Sequence, residues 1–460
     1  MTATDQSSST NPAYRLEGRS PTTLTSRHLR FMAFGSQIGA GFFLASGIAI
    51  RNAGPALLAA YLLAGIFLYL IMRALGEMTL AYPAHGSFST YATNFISPFV
   101  GYTVGWTFWL GVQLVGVAEI TGVGLLVHQW MPAVPQWIPA LCTVSAVYAI
   151  NLSGIRTFGE LEYGLSMIKI VTIAGFILCG IVSLVFKLGA LGQHGSVSNL
   201  WTAGGFLPTG MHGILVALPA VVFAFGGVEV IGLAATETDN PATNVPRAIN
   251  GVFSRILILY IGSLGLVMML IPWSSTDPQE SPFVMVLASA GLPVAAGVVT
   301  FVAISALISA SNTVLYGGSR MLQGLALAGQ APKCLTRLSR RAIPVNAVHV
   351  SVALLLVGIV FVDLAPGRVF GAVLSVIAWL VIWGWANIVV AHMRCSRTPV
   401  PTDGGGRQYR LPGRPFIDLF LLSALAWFVF ALASSASLVT LYLLVIWAII
   451  LLVGYKVFVK

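Results

Sequence analysis

The stretch Phe34-Gly35-Ser36-Gln37-Ile38-Gly39-Ala40-Gly41-Phe42 interrupts an otherwise apolar segment that runs from about residue 31 to residue 50. It carries three glycines within seven residues, and each glycine in a helix interior costs about 1 kcal/mol relative to alanine. Backbone left unpaired in hydrocarbon is tolerated only where it lines a cavity or is buried in protein. The stretch therefore indicates one of two structures. Either a broken membrane helix presents bare N–H groups to an anion, or small residues pack closely against a neighbouring helix.

The composition of the chain is that of an integral membrane protein. Of its 460 residues, 57% are hydrophobic and only 8% are charged, whereas a soluble domain carries about 25% charged residues. The formal net charge of +10 does not indicate a nucleic-acid partner, because the Lys and Arg residues lie mostly between apolar segments. The four cysteines lack the spacing of a metal site or a disulfide framework. We also find no phosphate-binding loop or nucleophile motif, so neither an enzyme nor a cofactor or metal is expected.

Apolar segments long enough to cross a bilayer recur along the whole chain. A spanning helix needs about 20 apolar residues, and twelve segments approach or exceed that length. They lie at about 31–51, 55–78, 97–128, 136–153, 158–186, 211–235, 248–273, 292–328, 345–363, 367–393, 415–435 and 438–458. The sequence therefore predicts an all-α integral membrane protein with twelve transmembrane helices.

Positively charged residues predict the orientation of these helices. Most Lys and Arg residues fall in the N-terminal tail and in the loops that follow even-numbered segments. The largest groups are Arg15, Arg19, Arg27, Arg30, Lys333, Arg337, Arg340, Arg341, Arg394, Arg397, Arg407, Arg410 and Arg414. Because basic loops stay on the cytoplasmic side, both termini are predicted to be cytoplasmic.

A second break lies in the sixth segment, at Phe223-Ala224-Phe225-Gly226-Gly227-Val228-Glu229. Segments one and six correspond to each other if segments one to five and six to ten form two five-helix halves. Interrupted helices in corresponding positions are the best sequence indication of a transporter site at an inverted-repeat interface. The halves show no sequence identity, so the predicted repeat depends on topology alone.

The two breaks together predict the kind of molecule that is bound. Free N–H groups around Ser36–Gly41 would bind a carboxylate, as helix N-termini do, and carbonyls freed around Phe223–Gly226 would bind an ammonium group. That combination matches an α-amino acid. Phe225 either closes over the substrate side chain or packs in the core. The predicted substrate-binding residues are Ser36, Gln37, Ile38, Gly39, Ala40, Gly41, Gln113, Phe223, Ala224, Phe225, Gly226 and Gly227.

Ionisable residues within the apolar segments are few, and a charge at the membrane centre costs about 2.5–3.5 kcal/mol on insertion scales. Lys169 shares one helix face with Glu162 and Ser166, at spacings of seven and three residues. An ammonium group buried there can replace a bound monovalent cation and exchange a proton. Lys169 is therefore predicted to carry the coupling proton, with a permanently paired structural lysine as the alternative.

Two further carboxylates are candidates for the proton path. Glu119 lies on one helix face with Gly116 and Gly122 and is predicted to be buried, as a proton relay or as a brace for the bundle. Glu229 follows the second break directly, where it either caps freed N–H groups or joins the proton path. Glu237 and Asp239 lie near the cytoplasmic end of segment six and, with Arg247 and Arg255 nearby in sequence, are predicted to form a surface or gate ion-pair cluster.

Several motifs in the chain resemble those of the amino acid permease branch of the amino acid–polyamine–organocation superfamily. They include Phe158-Gly-Glu-Leu-Glu162 and Glu237-Thr-Asp-Asn-Pro241. The remaining matches are at 27–47, 53–55, 72–78, 223–229, 319–322 and 329–332. The resemblance runs from about residue 27 to the end of segment ten, and more loosely beyond.

The resemblance implies a leucine-transporter-like 5+5 inverted repeat with broken helices one and six and two trailing helices. It also implies proton-coupled amino acid uptake across the bacterial inner (plasma) membrane. In relatives, a lysine matching Lys169 stands where sodium sits in sodium-coupled cousins, so no sodium is expected. Segments 272–275 and 281–284 are most similar to permeases for small neutral amino acids. Gln37 and Ala40 depart from the family's usual small residue and threonine, which changes the polarity of the carboxylate cradle.

The predicted organisation has four parts: a disordered tail at 1–26, a transport core at 27–396 with halves near 27–190 and 205–396, a cytoplasmic linker at 397–414, and two trailing helices at 415–460. The expected partners are an amino acid and membrane lipids. Two alternatives remain at this point, namely an exchanger of the same fold without net proton coupling, and an amino acid sensor that does not transport.

Overall fold

The computed structural model describes residues 31, 38–238, 240–278, 280–364, 366–395 and 409–459, and side chains at these positions except 255–257 and 361–369. The predicted tail at 1–26, most of the linker and the candidate residues Ser36 and Gln37 lie outside the described residues. Every element assigned in the described part is helical, as the sequence predicts. Helices dominate because in hydrocarbon a helix satisfies its backbone hydrogen bonds within one segment.

The helices are numbered here in chain order. The first group is α1 Ala40–Phe43, α2 Ala45–Ala53, α3 Leu57–Ala81, α4 Phe88–Phe95, α5 Pro98–Trp130, α6 Trp137–Ser153, α7 Ile155–Phe186, α8 Gly189–His194, α9 Asn199–Thr202, α10 Gly210–Phe225 and α11 Val230–Ala234. The second group is α12 Pro241–Arg255, α13 Ser263–Leu270, α14 Pro282–Ser289, α15 Pro293–Leu327, α16 Val345–Leu364, α17 Pro366–Cys395, α18 Phe416–Ser435 and α19 Leu438–Phe458. A π-helical segment, Ile256–Gly262, joins α12 to α13.

Nine helical stretches in the described part are long and apolar enough to cross a membrane. The first of them, Ala40–Ala81, contains a 3₁₀ turn at Gly54–Ala56 that separates α2 from α3. Two shorter apolar helices, Trp137–Ser153 and Val345–Val360, accompany the nine. The protein is therefore a multi-pass helical membrane protein, and the count of twelve crossings stays a prediction.

The long helices α5 and α15 pack against each other through the centre of the bundle. Most residues of both helices are buried. Helix α19 lies at the periphery, where Leu438 is 70% exposed and Tyr442 is 67% exposed. Because apolar side chains on this face gain nothing from burial when the surroundings are lipid, a peripheral helix can stay apolar all round.

Both predicted breaks lie at helix ends. Helix α1 begins at Ala40, directly after Gly39, and is buried along its length. Helix α10 ends at Phe225, and α11 begins at Val230. Between them Gly227 has a φ of +94°, a conformation that glycine adopts at little cost. The four-residue gap at 226–229 is the second break that the sequence predicts.

Candidate functional site

The first break faces a buried carboxylate from α5. The amide of Ala40 donates a hydrogen bond to Glu119 Oε2 at 2.9 Å, and Glu119 is 3% exposed. A Cβ on Gly39 would collide with the Glu119 carboxylate, so only glycine permits this approach. The N–H groups of a helix start favour an anionic or strongly accepting oxygen, and here a carboxyl oxygen of a protein side chain fills that position. Ile38 and Gly41 are buried beside the same break.

The two breaks touch each other. A Cβ on Gly41 would lie 2.8 Å from the Cα of Ala224, so the backbones of α1 and α10 are in contact. The hydroxyl of Tyr260 donates to the Ala224 carbonyl at 2.9 Å, and the Gly226 amide donates to the Phe223 carbonyl at 3.2 Å. Each of these carbonyls keeps a second lone pair for another donor.

Phe225 packs in the core. Its ring centroid lies 5.6 Å from that of Tyr61 and 5.3 Å from that of Tyr260, at steep interplanar angles, and its side chain is fully buried. Such edge-to-face pairs stabilise a core by about 0.5–1.5 kcal/mol beyond their area. The arrangement matches the core-packing alternative for this residue.

Glu229 caps the second break. Its Oε2 accepts a hydrogen bond from the Gly227 amide at 2.9 Å, and its Oε1 accepts one from the indole N–H of Trp385 in α17. Glu229 is only 4% exposed, so both donors act away from water. This is the capping role that the sequence left open beside a place in the proton path.

Lys169 and Glu162 of α7 are linked through a serine of α15. Lys169 Nζ donates to Ser309 Oγ at 2.8 Å, and Ser309 Oγ donates to Glu162 Oε1 at 2.6 Å. The side chain of Ser166 lies on the same face and donates to the carbonyl of Phe31 at 3.1 Å. Lys169 and Glu162 are both fully buried, which confirms that the three predicted residues share one interior face.

Gln113 of α5 is fully buried, and neither polar atom of its amide has a hydrogen-bond partner within the described part of the chain. A Cβ on Gly318 of α15 would collide with the Gln113 amide nitrogen. Because buried polar groups are rarely left unpaired, Gln113 is a candidate for contact with a ligand.

A cavity of about 30 Å³ borders the second break. Its lining includes Phe88, Phe108, Gly111, Gly227, Glu229 and Gly384. Helices α4, α5 and α17 supply its walls, and the residues of the second break close one side. In the ranges described, no group of three His, Cys, Asp or Glu side chains is placed to hold a metal ion.

The family model for amino acid permeases matches residues 28–460. This chain belongs to the amino acid permease family. The permease is 38% identical over 433 residues to the uncharacterized amino acid permease YtnA of Bacillus subtilis, with 94% of each chain covered. It is 36% identical over 435 residues to the amino-acid permease AapA of the same organism, again with 94% of each chain covered. The family resemblance seen in the sequence is thereby confirmed.

A further relative of the permease has a name that states a substrate. The aromatic amino acid transport protein AroP of Escherichia coli strain K12 is 37% identical over 436 residues, with 94% of each chain covered. Relatives of this kind are named as transporters rather than enzymes, in agreement with the expectation from the motifs.

The partner of Glu237 in the permease differs from the expected one. Glu237 Oε1 pairs with Arg320 Nε of α15 at 3.3 Å, and its Oε2 accepts the hydroxyl proton of Tyr316. The Arg320 guanidinium also lies 3.9 Å from the centroid of the Tyr316 ring. Glu237 does pair with an arginine, but that arginine lies on α15 and not in the stretch that follows segment six in the chain. Asp239 and the Arg255 side chain lie outside the described positions.

Sequence reasoning missed four residues of the permease that contact the predicted site. They are Tyr260, Ser309, Gly384 and Trp385. Each is an ordinary residue of an apolar helix and carries no local motif. The available sign of a functional role was a hydroxyl, an indole N–H or a glycine within an apolar segment. Residues of these kinds recur along the chain, so the sequence does not single out these four.

Proposed function

We propose that this permease imports a neutral amino acid with a proton, by alternating access around the breaks after Gly39 and Phe225. One observation carries the proposal: the Ala40 amide at the first break binds a carboxylate, that of Glu119. The carboxylate of an incoming amino acid has the same chemistry and would replace Glu119 at this amide. Ile38, Gly39 and Gly41 would complete the cradle; Ser36 and Gln37, which the sequence also predicts there, lie outside the described residues.

The second break supplies the acceptors for the ammonium group of the substrate. The carbonyls of Phe223, Ala224 and Gly226 would receive its three N–H donors, since each carbonyl oxygen can accept two hydrogen bonds. The contact between Gly41 and Ala224 supports this arrangement. It places the proposed carboxylate subsite and the proposed ammonium subsite next to each other in space.

The proton is proposed to reside on Lys169 and Glu119. The ammonium of Lys169 is held by Ser309 between α7 and α15, at a position where it can replace a bound sodium ion. The position of Glu119 would depend on whether substrate is bound. Its carboxyl group must leave the Ala40 amide before a substrate carboxylate can bind there. Glu229 would join the path through Trp385 and Gly227.

The substrate side chain is proposed to enter the cavity beside Gly227 and to be small and uncharged. A volume of about 30 Å³ leaves room for about one water molecule. The carboxylate of Glu229, the acidic group that lines this cavity, already accepts two hydrogen bonds. A small apolar side chain therefore fits the cavity best, and Gln113 would meet the polar part of the substrate.

An aromatic substrate is the second candidate. Two observations favour it: the name of the AroP relative, and the pair of rings at Phe88 and Phe108, whose centroids are 4.9 Å apart. A Cβ on Gly384 would meet no heavy atom within 4 Å. The side of the cavity at Gly384 is therefore open to a side chain larger than that of alanine.

The membrane arrangement proposed with this function is the twelve-helix, 5+5 inverted repeat, with α18 and α19 as trailing helices. The protein would lie in the bacterial inner membrane with both termini in the cytoplasm and need no cofactor. Two parts of the bundle support this arrangement, namely the pair of broken helices and the peripheral position of α19.

Transport by purified protein in liposomes tests the proposal. Labelled small, aromatic, acidic and basic amino acids are offered singly, in sodium-free buffer, with and without an inward proton gradient. We expect accumulation of a neutral amino acid that collapses when a protonophore is added. Flux that instead requires amino acid inside the liposome would identify an exchanger, and binding without flux would identify a sensor.

A further inference from the structure

An apolar groove of about 530 Å³ lies between α5, α16, α17 and α19, apart from the two breaks. Among the described residues that line it, the one polar side-chain group is the indole N–H of Trp447 in α19. That N–H donates to Thr107 Oγ1 of α5 at 3.1 Å, so this described lining leaves no side-chain polar group free for a ligand. The groove therefore suits an apolar occupant, since a buried water molecule needs polar partners.

Helix α19 forms the outer wall of the groove because it packs tightly against α5 near its C-terminal end. There, a Cβ on Gly454 would collide with the hydroxyl of Tyr102, and the ring centroids of Tyr102 and Tyr455 lie 5.3 Å apart. Nearer the start of α19, Val439 and Leu443 line the groove and are 59% and 44% exposed. The two helices therefore diverge towards the start of α19, and their divergence leaves a wedge of space between them.

The groove has the length of one leaflet of a bilayer. It follows α19 from Val439 to Ile450, a distance of about 16 Å at 1.5 Å per helical residue. Half of a hydrocarbon core about 30 Å thick is about 15 Å. An acyl chain of a phospholipid extends across one leaflet and is apolar along its length. It therefore matches the groove in both length and chemistry.

We propose that this groove binds one acyl chain of a membrane phospholipid. Val357 of α16 and Ile446 of α19 line the groove and are each half-exposed, so the groove is continuous with the lipid-facing surface of the bundle. A chain can enter from the bilayer without crossing water. The space does not stay empty, because the atoms that line a void lose the dispersion contacts that a neighbour would supply. The bound chain fills the wedge that protein side chains leave open between α5 and α19.

Leu380 of α17 connects this lipid site to the cavity beside the second break, because it lines both. Its side chain is buried, and a Cβ on Gly111 of α5 would lie 3.6 Å from the Cβ of Leu380. The acyl chain therefore packs against a side chain that also forms a wall of that cavity. The lipid site itself does not depend on the proposed substrate or on proton coupling.

Photocrosslinking of the full-length protein in nanodiscs tests the site without any transport assay. The nanodiscs contain phosphatidylethanolamine that carries a diazirine within one acyl chain, and mass spectrometry of peptides locates the adducts after irradiation. We expect adducts on the α5 stretch 110–117, which supplies the floor of the groove behind α19. Adducts confined to the outward faces of α18 and α19 would overturn the proposal, because they would show lipid at the surface of the bundle and not in the groove.

Two neighbouring positions of α17 provide a matched pair of variants. Ala372 lines the groove, so the indole of Ala372→Trp should occupy the groove and remove most of the adducts from α5. Gly371 lies outside the described lining, and a Cβ there would meet no heavy atom within 4 Å. Gly371→Trp should therefore keep the wild-type adducts on α5.

Ile446→Trp fills the groove from the opposite wall and keeps the proposal testable if Ala372→Trp does not fold. Ile446 is half-exposed on α19, so a larger side chain there should not disturb the core. Loss of the α5 adducts in a groove-filling variant, with their retention in Gly371→Trp, is the expected result. Adducts on α5 that persist when the groove is filled would contradict the proposal, and so would a second copy of the chain crosslinked through the groove.

Discussion

Glu119 Oε2 lies 2.9 Å from the backbone nitrogen of Ala40, so a side chain of α5 occupies an amide at the start of α1. The two residues are 79 positions apart in the chain. In the proposed mechanism, the side-chain carboxyl group of Glu119 and the carboxylate of the substrate compete for this one donor. It is the relationship on which the proposed coupling depends.

Glu119→Gln should separate exchange from accumulation. The amide oxygen of glutamine can still accept the Ala40 N–H, so the site stays assembled, but the side chain no longer binds or releases a proton. We expect uphill uptake driven by a proton gradient to disappear while exchange of internal for external amino acid persists. Both fluxes are measured in liposomes. Glu160→Gln, on the exposed face of α7, is the control and should behave as wild type; gradient-driven accumulation by Glu119→Gln would remove this residue from the coupling path.

Lys169→Ala should abolish uphill uptake, because the cation between α7 and α15 is lost. It also leaves Glu162 and Ser309 without their charged partner, and breaking a buried pair in this way costs about 3–5 kcal/mol. A thermal melt should therefore show a lower Tm for Lys169→Ala. The double variant Lys169→Ala with Glu162→Gln removes the stranded charge, so it should recover the Tm and still fail to accumulate substrate. Unchanged accumulation by Lys169→Ala would return this lysine to a structural role.

Gly41→Ala tests whether the contact between the two breaks is needed. The new Cβ would lie 2.8 Å from the Cα of Ala224, and backbone cannot move aside as a side chain can. Overpacking of this kind costs about 1–3 kcal/mol, so we expect a lower Tm and loss of transport. The matched control is Gly175→Ala in α7, where a Cβ would meet no heavy atom within 4 Å. That change should leave transport intact and stabilise the helix by about 1 kcal/mol. Equal effects of the two variants on Tm and transport would contradict the proposed contact.

Gly384→Val should reveal whether the cavity beside the second break receives the substrate side chain. A Cβ at this position would meet no heavy atom within 4 Å, so valine would add bulk on the α17 side of the cavity that Gly384 lines. We expect competition by large amino acids to weaken far more than competition by alanine or glycine, measured as inhibition of labelled uptake. Gly371→Val, on the same helix and away from the cavity, should leave the ranking unchanged. If Gly384→Val also leaves the ranking unchanged, the side chain binds elsewhere.

The breaks and the helices could be predicted from the sequence because their signals are local. The predicted span at 97–128 corresponds to α5, Pro98–Trp130, and the glycine pair at 226–227 lies between the ends of α10 and α11. Apolar length decides which segments enter a membrane, and glycine within such a segment decides where the helix is interrupted. Both properties are read from residues adjacent in the chain.

The partners of the ionisable residues could not be predicted in this way. Ser309 lies 140 positions from Lys169, and Trp385 lies 156 positions from Glu229. A serine or a tryptophan in an apolar helix has no pattern that reveals which residue it will face. The pairing of Glu237 with Arg320 of α15 has the same cause, since nearness in the chain does not set nearness between helices.

The amino-acid sequence therefore established the membrane class, the positions of the helices and the two interruptions, since these depend on hydrophobicity and backbone preference along single segments. Only the folded bundle decided that Glu119 meets Ala40, that Gly41 touches Ala224 and that Ser309 bridges Lys169 to Glu162. Those contacts depend on how helices distant in the chain rotate and pack against one another. Packing, and not any motif, brings the start of one interrupted helix against the end of the other, at Gly41 and Ala224.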